Sequence, residues 1–318
     1  MNVKMKGVVA VLIFLSLSAA GISSMASLPA SEDTGRPDGR VVAILFSVWQ
    51  TEDAKKHFRD VPNLDLLEVN GKPMIEHVYD ALRSSRHVDK IVVFAAPEVE
   101  RRLKLTDDPG TSFIEDRGDA AANLQFGVGE VEKGDLVMFI PSDLALVTSE
   151  GLDELIDRVL DERSVDLVFP LVSRQQCERQ YPEEARTYGH FREGQFTGAH
   201  VEFLRPDLFL DNPDEVRAQK DNLYNLYYMR KSTLGAARFL GVKLTLKYVF
   251  GSLSIQDLER HVLEKYEVTA KAILWDDADL ATDLSEPSDV QMISRALQQR
   301  AAAQLRTPPA RGAVSGRS

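Results

Sequence analysis

The chain has 318 residues, of which 44% are hydrophobic and 27% are charged, and its formal net charge is −11. This balance is ordinary for a globular protein and provides enough apolar side chains for one large core or two modest ones. The acidic charge, without a long basic stripe, argues against a nucleic-acid partner. Cys177 is the one cysteine, so an intrachain disulfide is excluded and the thiol is interpreted as structural or incidental.

The N-terminus has the pattern of an export signal. Lys4 and Lys6 precede an apolar run, and Ser24-Met25-Ala26 fits a small-residue cleavage site. The apolar run is shorter than the roughly 20 residues of a spanning helix. We therefore predict a signal peptide over residues 1–26 and an exported, periplasmic or extracellular protein. The alternative is an uncleaved anchor, which would be the chain's one contact with a membrane.

The two ends of the remaining chain differ in composition from its centre. Residues 27–39 are small, polar and rich in Pro and Gly, which is typical of a linker. Residues 299–318 are predicted to form a disordered tail. These boundaries leave one domain, predicted at residues 40–298.

Within that domain, apolar runs of strand length alternate with segments of helical periodicity. The predicted strands are 41–46, 66–69, 90–95, 112–115, 136–140, 165–171, 199–204 and 269–275. The predicted helices are 73–82, 119–131, 149–162 and 287–298, with a mostly helical insertion at about 213–266. This alternation predicts an α/β protein with a mainly parallel three-layer αβα sheet.

In such a sheet, ligands bind at the carboxyl ends of the strands, and Asp143 follows the most strand-like run of the chain. A carboxylate at this edge suits Mg²⁺, which prefers a few carboxylates together with substrate phosphates. A turn or N-cap aspartate is the alternative interpretation, because a helix starts soon after at Thr148-Ser149. The pattern alone leaves both open.

Three segments together resemble the MobA-like NTP transferases. They are the turn and helix of NGKPMIEH before DKIVV, the strand end IPSDLALVT, and the late acidic segment ATDLSEPSDV. The resemblance extends over about residues 41–297 and implies a Rossmann-like nucleotide-diphospho-sugar transferase fold. It also implies transfer of a nucleotidyl group from a nucleoside triphosphate to a small phosphorylated or hydroxylated acceptor, with Mg²⁺.

The resemblance assigns roles to individual residues. Asp143 and Asp283 would be the metal ligands, and Asp143 and Lys72 the catalytic pair. The implied nucleotide-binding residues are Phe46, Ser47, Gly118, Asp119, Asn123 and Ser142. The implied acceptor-binding residues are Thr197, Gly198, Arg230 and Lys231. Asp289 is interpreted as a first-turn helix charge, and all six histidines are treated as structural.

Two departures from the family pattern bear most directly on catalysis. The loop after the first strand, FSVWQTEDAKKHFRD, contains no glycine, although glycines allow backbone N–H groups to approach phosphates closely. Leu64-Asp65 stands where the family tends to carry a lysine. These departures keep open an exported, catalytically degenerate protein that binds a ligand or partner. A glycosyltransferase of related fold is a further alternative, although it would usually have a D-x-D pair where this chain has one aspartate.

Overall fold

A nine-stranded sheet organises the part of the chain that the computed structural model describes, which comprises residues 39–47, 56–116, 128–162, 164–184, 186–206 and 233–306. The strands of the sheet are β1 (Val41–Phe46), β4 (Val88–Ala95), β5 (Thr111–Glu115), β6 (Leu136–Pro141), β7 (Leu167–Ser173), β8 (Gly189–Phe191), β9 (Gly194–Gly198), β10 (Glu202–Leu204) and β11 (Ala270–Trp275). β2 (Glu68–Val69) and β3 (Lys72–Pro73) form a separate two-stranded hairpin. The helices are α1 (Met74–Ser84), α2 (Pro97–Leu103), α3 (Ser149–Leu160), α4 (Arg174–Gln180), α5 (Thr233–Val249), α6 (Ile255–Tyr266) and α7 (Pro287–Arg306).

The sheet is mainly parallel, as predicted. β5, β4, β1 and β6 pair in parallel in that order, and β11 pairs in parallel with β7. β10 lies antiparallel between β6 and β7, so these two strands also run in the same direction. The carboxyl ends of all six strands therefore lie on one edge, and the register places Phe46 level with Pro141 and Phe94.

Both faces of the sheet are covered, which confirms the three-layer prediction. Along β1, Ala43 and Leu45 pack into one hydrophobic core, and Val42 and Ile44 pack into the other. Successive side chains of a strand point to opposite faces, so a strand that is apolar throughout needs a core on each side. The helix α1 contributes its buried face to the first of these cores.

The predicted strand 199–204 is wrong as a single element. The chain forms β9 and β10 instead, and residues 199–201 leave the ladder between them. The Ala199 amide donates to Pro170 O at 2.9 Å and the His200 amide donates to Leu280 O at 2.6 Å. These bonds turn the chain towards the late acidic segment at the ligand edge. The other predicted strands agree with the observed ones to within two residues at each end.

The last predicted boundary is also wrong, because α7 continues to Arg306 rather than ending at residue 298. Its added turns, AAAQLR, consist of good helix formers. Arg300 also ties this part of the helix to the domain, since it donates to Leu146 O at 2.7 Å. Residues 299–306 therefore belong to the fold and not to a disordered tail.

Two further predictions fall partly outside the described residues. Of the predicted helix 119–131, the structure describes residues 128–131, where Val128–Glu130 forms a short 3-10 helix instead. Of the predicted insertion at 213–266, it describes residues 233–266, which form α5, broken at Gly241 where φ is 68°, and α6. The predicted signal peptide and most of the linker also lie outside. Across the residues described, none of the helices combines the length and hydropathy needed to cross a membrane.

Candidate active site at the carboxyl edge of the sheet

The predicted nucleotide-binding residues Phe46, Ser47 and Ser142 lie together where β1 and β6 end. The Ser47 amide donates to Phe94 O at 2.9 Å, and the Ser142 amide donates to Phe46 O at 3.0 Å. These bonds continue the parallel ladder by one residue beyond each strand. The two serine side chains are therefore held by the sheet itself at its ligand edge.

Asp65 links the two serines. Its side chain is fully buried and accepts a hydrogen bond from Ser142 Oγ at 2.6 Å and another from Ser47 Oγ. The Asn63 side chain in turn accepts from the Asp65 amide at 3.0 Å. Asp65 occupies the position of the missing family lysine, so a structural carboxylate stands where the resemblance leads one to expect a cation. The one signal for this role in the sequence was the departure from the family pattern at Leu64-Asp65.

We predict that Asp65→Ala lowers the free energy of unfolding by about 2 kcal/mol, because the buried hydroxyl of Ser142 and the partly buried hydroxyl of Ser47 lose their acceptor. Asp65→Asn should lose about half as much, because one acceptor oxygen remains and the other serine can accept from the amide. Urea unfolding measures both variants, with the exposed Asp60→Ala in the same loop as the control. Equal stabilities of Asp65→Ala and Asp60→Ala would contradict the role of Asp65.

Asp143 follows β6 directly and carries an unusual carboxyl group. Its Oδ1 atom is buried and makes no hydrogen bond within the described part of the molecule. Burial raises the pKa of Asp143 well above its usual range, and the neighbouring charges of Asp283 and Asp65 raise it further. Such a group needs either a proton or a cation.

The structure brings Asp283 to Asp143 although 140 positions separate them in the chain. The amide of Leu284, the residue after Asp283, donates to Asp143 O at 3.2 Å. Asp283 accepts a hydrogen bond from Ser285 Oγ, and its Oδ1 lies 3.4 Å from His200 Nε2. Its side chain remains 22% exposed, so the carboxylate is accessible to a ligand from solvent.

His200 belongs to this site, although its sequence context indicated only a structural role. Burial lowers the pKa of His200, and Arg186 adds to that effect, while the charge of Asp283 opposes it. The imidazole is therefore neutral near pH 7. The sequence around His200 could not reveal its place in the site, because its partner, Asp283, lies in the late acidic segment.

The segment that carries Asp283 is held on both sides. Before it, Arg186 donates to Ala281 O and to Thr282 Oγ1, and it also pairs with Glu184. Burial raises the pKa of Glu184 to about 7, with Arg186 opposing the shift and Asp283 adding to it. After it, Asp289 accepts from the Glu286 amide at 2.7 Å and from that of Ser285 at 3.0 Å. This pairing supports the helix-start interpretation of Asp289.

The donor set suits a hard divalent cation such as Mg²⁺. Among the residues that the structure describes, no group of three or more His, Cys, Asp or Glu is arranged to hold a metal. Two carboxylates suffice for Mg²⁺, which takes its other ligands from water and substrate phosphates. The buried Oδ1 of Asp143 and the partly exposed carboxylate of Asp283 match that requirement.

The other predicted residues that the structure describes have no contact with Asp143 or Asp283 among the contacts of the described chain. Lys72 lies in the β2–β3 hairpin and forms an ion pair with Asp80 on α1; no described contact joins it to Asp143. Thr197 and Gly198 are buried in β9, where they pair with Val172 and Leu171 of β7. The predicted residues that lie outside the described chain are Gly118, Asp119, Asn123, Arg230 and Lys231.

The chain is similar to known nucleotidyltransferases. Residues 65–209 match the model of the MobA-like NTP transferase domain. The chain is 28% identical over 219 residues to the 8-amino-3,8-dideoxy-manno-octulosonate cytidylyltransferase of Shewanella amazonensis, covering 65% of this chain and 78% of that enzyme. It is 25% identical over 177 residues to the same enzyme of Shewanella halifaxensis, covering 56% of this chain and 62% of that enzyme. The match thus spans less than two thirds of the latter's length.

Solved structures show the same fold. A hypothetical transferase from Thermus thermophilus matches with a TM-score of 0.63 and 25% identity, covering 79% of this chain and 99% of that one. A CMP:2-keto-3-deoxy-manno-octonic acid synthetase complexed with CTP matches with a TM-score of 0.50 and 14% identity, covering 82% of this chain and 100% of that one. At 14% identity, the second match shows only a shared fold.

Proposed function

We propose that the chain transfers a nucleotidyl group from a nucleoside triphosphate to a small acceptor with Mg²⁺, since residues 65–209 match the model of the MobA-like NTP transferase domain. The proposal depends mainly on the carboxyl group of Asp143. Asp143 has a buried carboxyl oxygen without a hydrogen-bond partner, beside a second carboxylate at the ligand edge of the sheet. Two close carboxylates, one of them with a buried oxygen, are costly unless a proton or a cation neutralises their charge.

In this mechanism the acceptor oxygen attacks the α-phosphorus of the triphosphate, the bond to the β-phosphate breaks, pyrophosphate leaves, and the acceptor proton passes to solvent. When bound, Mg²⁺ would neutralise charge on the phosphate oxygens. Asp143 and Asp283 would hold it. Ser142, fixed by Asp65, would keep the end of β6 in place, and neutral His200 would hold Asp283 without competing for the cation.

CTP is the first nucleotide to test. The Shewanella relatives are named as cytidylyltransferases of an eight-carbon sugar acid, which supports a cytidine nucleotide and a small hydroxylated acid as the substrate classes. The net charge of −11 gives no support for a nucleic-acid acceptor.

The test is calorimetric titration of the full chain with CTP, UTP, ATP and GTP, with and without Mg²⁺. We expect binding of at least one triphosphate, CTP foremost, at micromolar Kd only when Mg²⁺ is present. Glu115→Gln, an exposed carboxylate at the end of β5 on the same sheet edge, should bind as the wild type does. Absence of binding by all four nucleotides would contradict the proposal.

A second candidate function is ligand binding without catalysis. The observation that favours it is Asp65, because a buried carboxylate between Ser47 and Ser142 adds negative charge where the phosphates of a substrate would lie. The export signal proposed for residues 1–26 agrees with it, since triphosphates are scarce outside the cytoplasm. Pyrophosphate release separates the two functions: a protein that binds CTP but releases no pyrophosphate with sugar-acid acceptors would be a binding protein.

A further inference from the structure

Arg186 is a buried cation that lies against the segment carrying Asp283. The side chain is 5% exposed, and its partner Glu184 is 9% exposed. One terminal guanidinium nitrogen donates to Ala281 O, and the other terminal nitrogen donates to Thr282 Oγ1 and pairs with Glu184. The buried Nε has no hydrogen-bond partner among the residues that the structure describes. The two residues that Arg186 holds immediately precede Asp283, so the guanidinium fixes the backbone from which that carboxylate projects.

The contact with Thr282 is directional. Thr282 is fully buried, and its hydroxyl donates to Ala278 O at 2.7 Å, so its lone pairs are left to accept from Arg186. On the other side of Asp283, the Leu284 amide donates to Asp143 O. Asp283 therefore lies between two anchors, one on the guanidinium of Arg186 and one on the turn that carries Asp143.

We infer that Arg186 is a positioning residue that sets the place of Asp283 opposite Asp143 and so completes the cation site. The inference rests on the proposed function, because it assigns Arg186 to the same site. A planar guanidinium bonds the carbonyl and the hydroxyl at once, whereas the ammonium group of a lysine offers a single centre. Glu184 pairs with Arg186 and offsets its buried charge when it is ionised, so Asp283 need not neutralise the guanidinium directly.

The first test compares Arg186→Met, Arg186→Lys and Thr282→Val in the full chain by titrating Mg²⁺ in the presence of CTP. Loss of a residue that orients a metal ligand costs about 10- to 100-fold in metal affinity, and we expect Arg186→Met to fall in this range with Arg186→Lys less affected.

On an Asp283→Asn background, Arg186→Met should change the affinity for Mg²⁺ by less than about twofold, because the ligand that Arg186 positions is gone. Arg192→Met, an exposed arginine between β8 and β9, is the control. Equal losses on both backgrounds would overturn the inference.

The second test needs no nucleotide. Hydrogen exchange of the amides of Thr282 and Leu284 should speed up in Arg186→Met and in Thr282→Val, and should not change in Arg192→Met. Unchanged exchange would overturn the positioning role even if CTP binds. Faster exchange in a wild-type-like fold that binds no triphosphate would uphold the role of Arg186 in placing Asp283 and refute the proposed function instead. Should Arg186→Met fail to fold, Thr282→Val, which removes only one anchor, gives the same readout.

Discussion

Asp143→Asn is expected to weaken Mg²⁺-dependent CTP binding at least about a hundredfold and, at the same time, to make the metal-free protein more stable near pH 7. The loss follows because an asparagine amide replaces a carboxylate that would neutralise the cation. The gain follows because the amide removes a buried charge that lies near Asp283 and Asp65 and has one unpartnered oxygen. We expect a gain of about 1–2 kcal/mol.

The pH dependence of this stability gain has a definite sign. The folded-state pKa of Asp143 is raised above its unfolded value. The contribution of the protonated carboxyl to stability is therefore fully present below the unfolded pKa of about 4 and is lost as pH rises through the folded pKa. The advantage of Asp143→Asn should be largest above the folded pKa and should vanish in acid.

Calorimetric melting in EDTA at several pH values measures the effect, with Glu115→Gln as a control whose Tm should equal that of the wild type throughout. An Asp143→Asn variant that is less stable than the wild type at neutral pH would mean that the carboxylate has a favourable partner in the protein. An unchanged affinity for CTP with Mg²⁺ would remove Asp143 from the cation site.

Arg300→Met should lower the free energy of unfolding by about 2–3 kcal/mol, because it leaves a largely buried carboxylate without its cation. Arg300 donates to Asp279 Oδ1 at 2.5 Å and to Tyr181 Oη at 2.7 Å, and Tyr181 donates to the same carboxylate. Asp279 is 7% exposed and belongs to the 3-10 turn that leads into Thr282 and Asp283. The network thus joins α7 and the end of α4 to the acidic segment of the site.

Arg295→Met is the matched control for this prediction. Arg295 lies on the same helix and pairs with Glu183, but both side chains are more than half exposed, so its loss should cost no more than about 0.5 kcal/mol. Urea unfolding of the two variants in parallel measures the difference. Equal losses for Arg295→Met and Arg300→Met would show that the Asp279 network contributes no more than a surface ion pair.

Much of the sheet could be predicted from the sequence because its strands are continuous apolar runs with a core on both faces. β1, for example, has the predicted bounds. Asp143 could be predicted because it follows such a strand directly, and Asp283 because its segment resembles a family motif. The link between them needed the fold, since it runs through the backbone contact of Leu284 with Asp143.

The residues that support the site could not be predicted in this way. Arg186 bonds partners 95 and 96 positions later in the chain, and local periodicity carries no record of such contacts. The sequence indicated Asp65 only through the family lysine that is missing at that place. Its role depends on two serines at the ends of different strands, which local sequence does not show. Lys72 was predicted from resemblance, yet a nearby carboxylate of α1, Asp80, engages it at the surface.

The most direct measurement is a crystal structure of the full chain with Mn²⁺ and CTP, recorded at a wavelength where manganese scatters anomalously. Mn²⁺ takes the oxygen ligands that Mg²⁺ takes and reveals its position without reference to activity. We predict an anomalous peak coordinated by the side chains of Asp143 and Asp283 and by phosphate oxygens of CTP. A peak bound by neither carboxylate, or nucleotide bound at this edge with no metal peak, would contradict it.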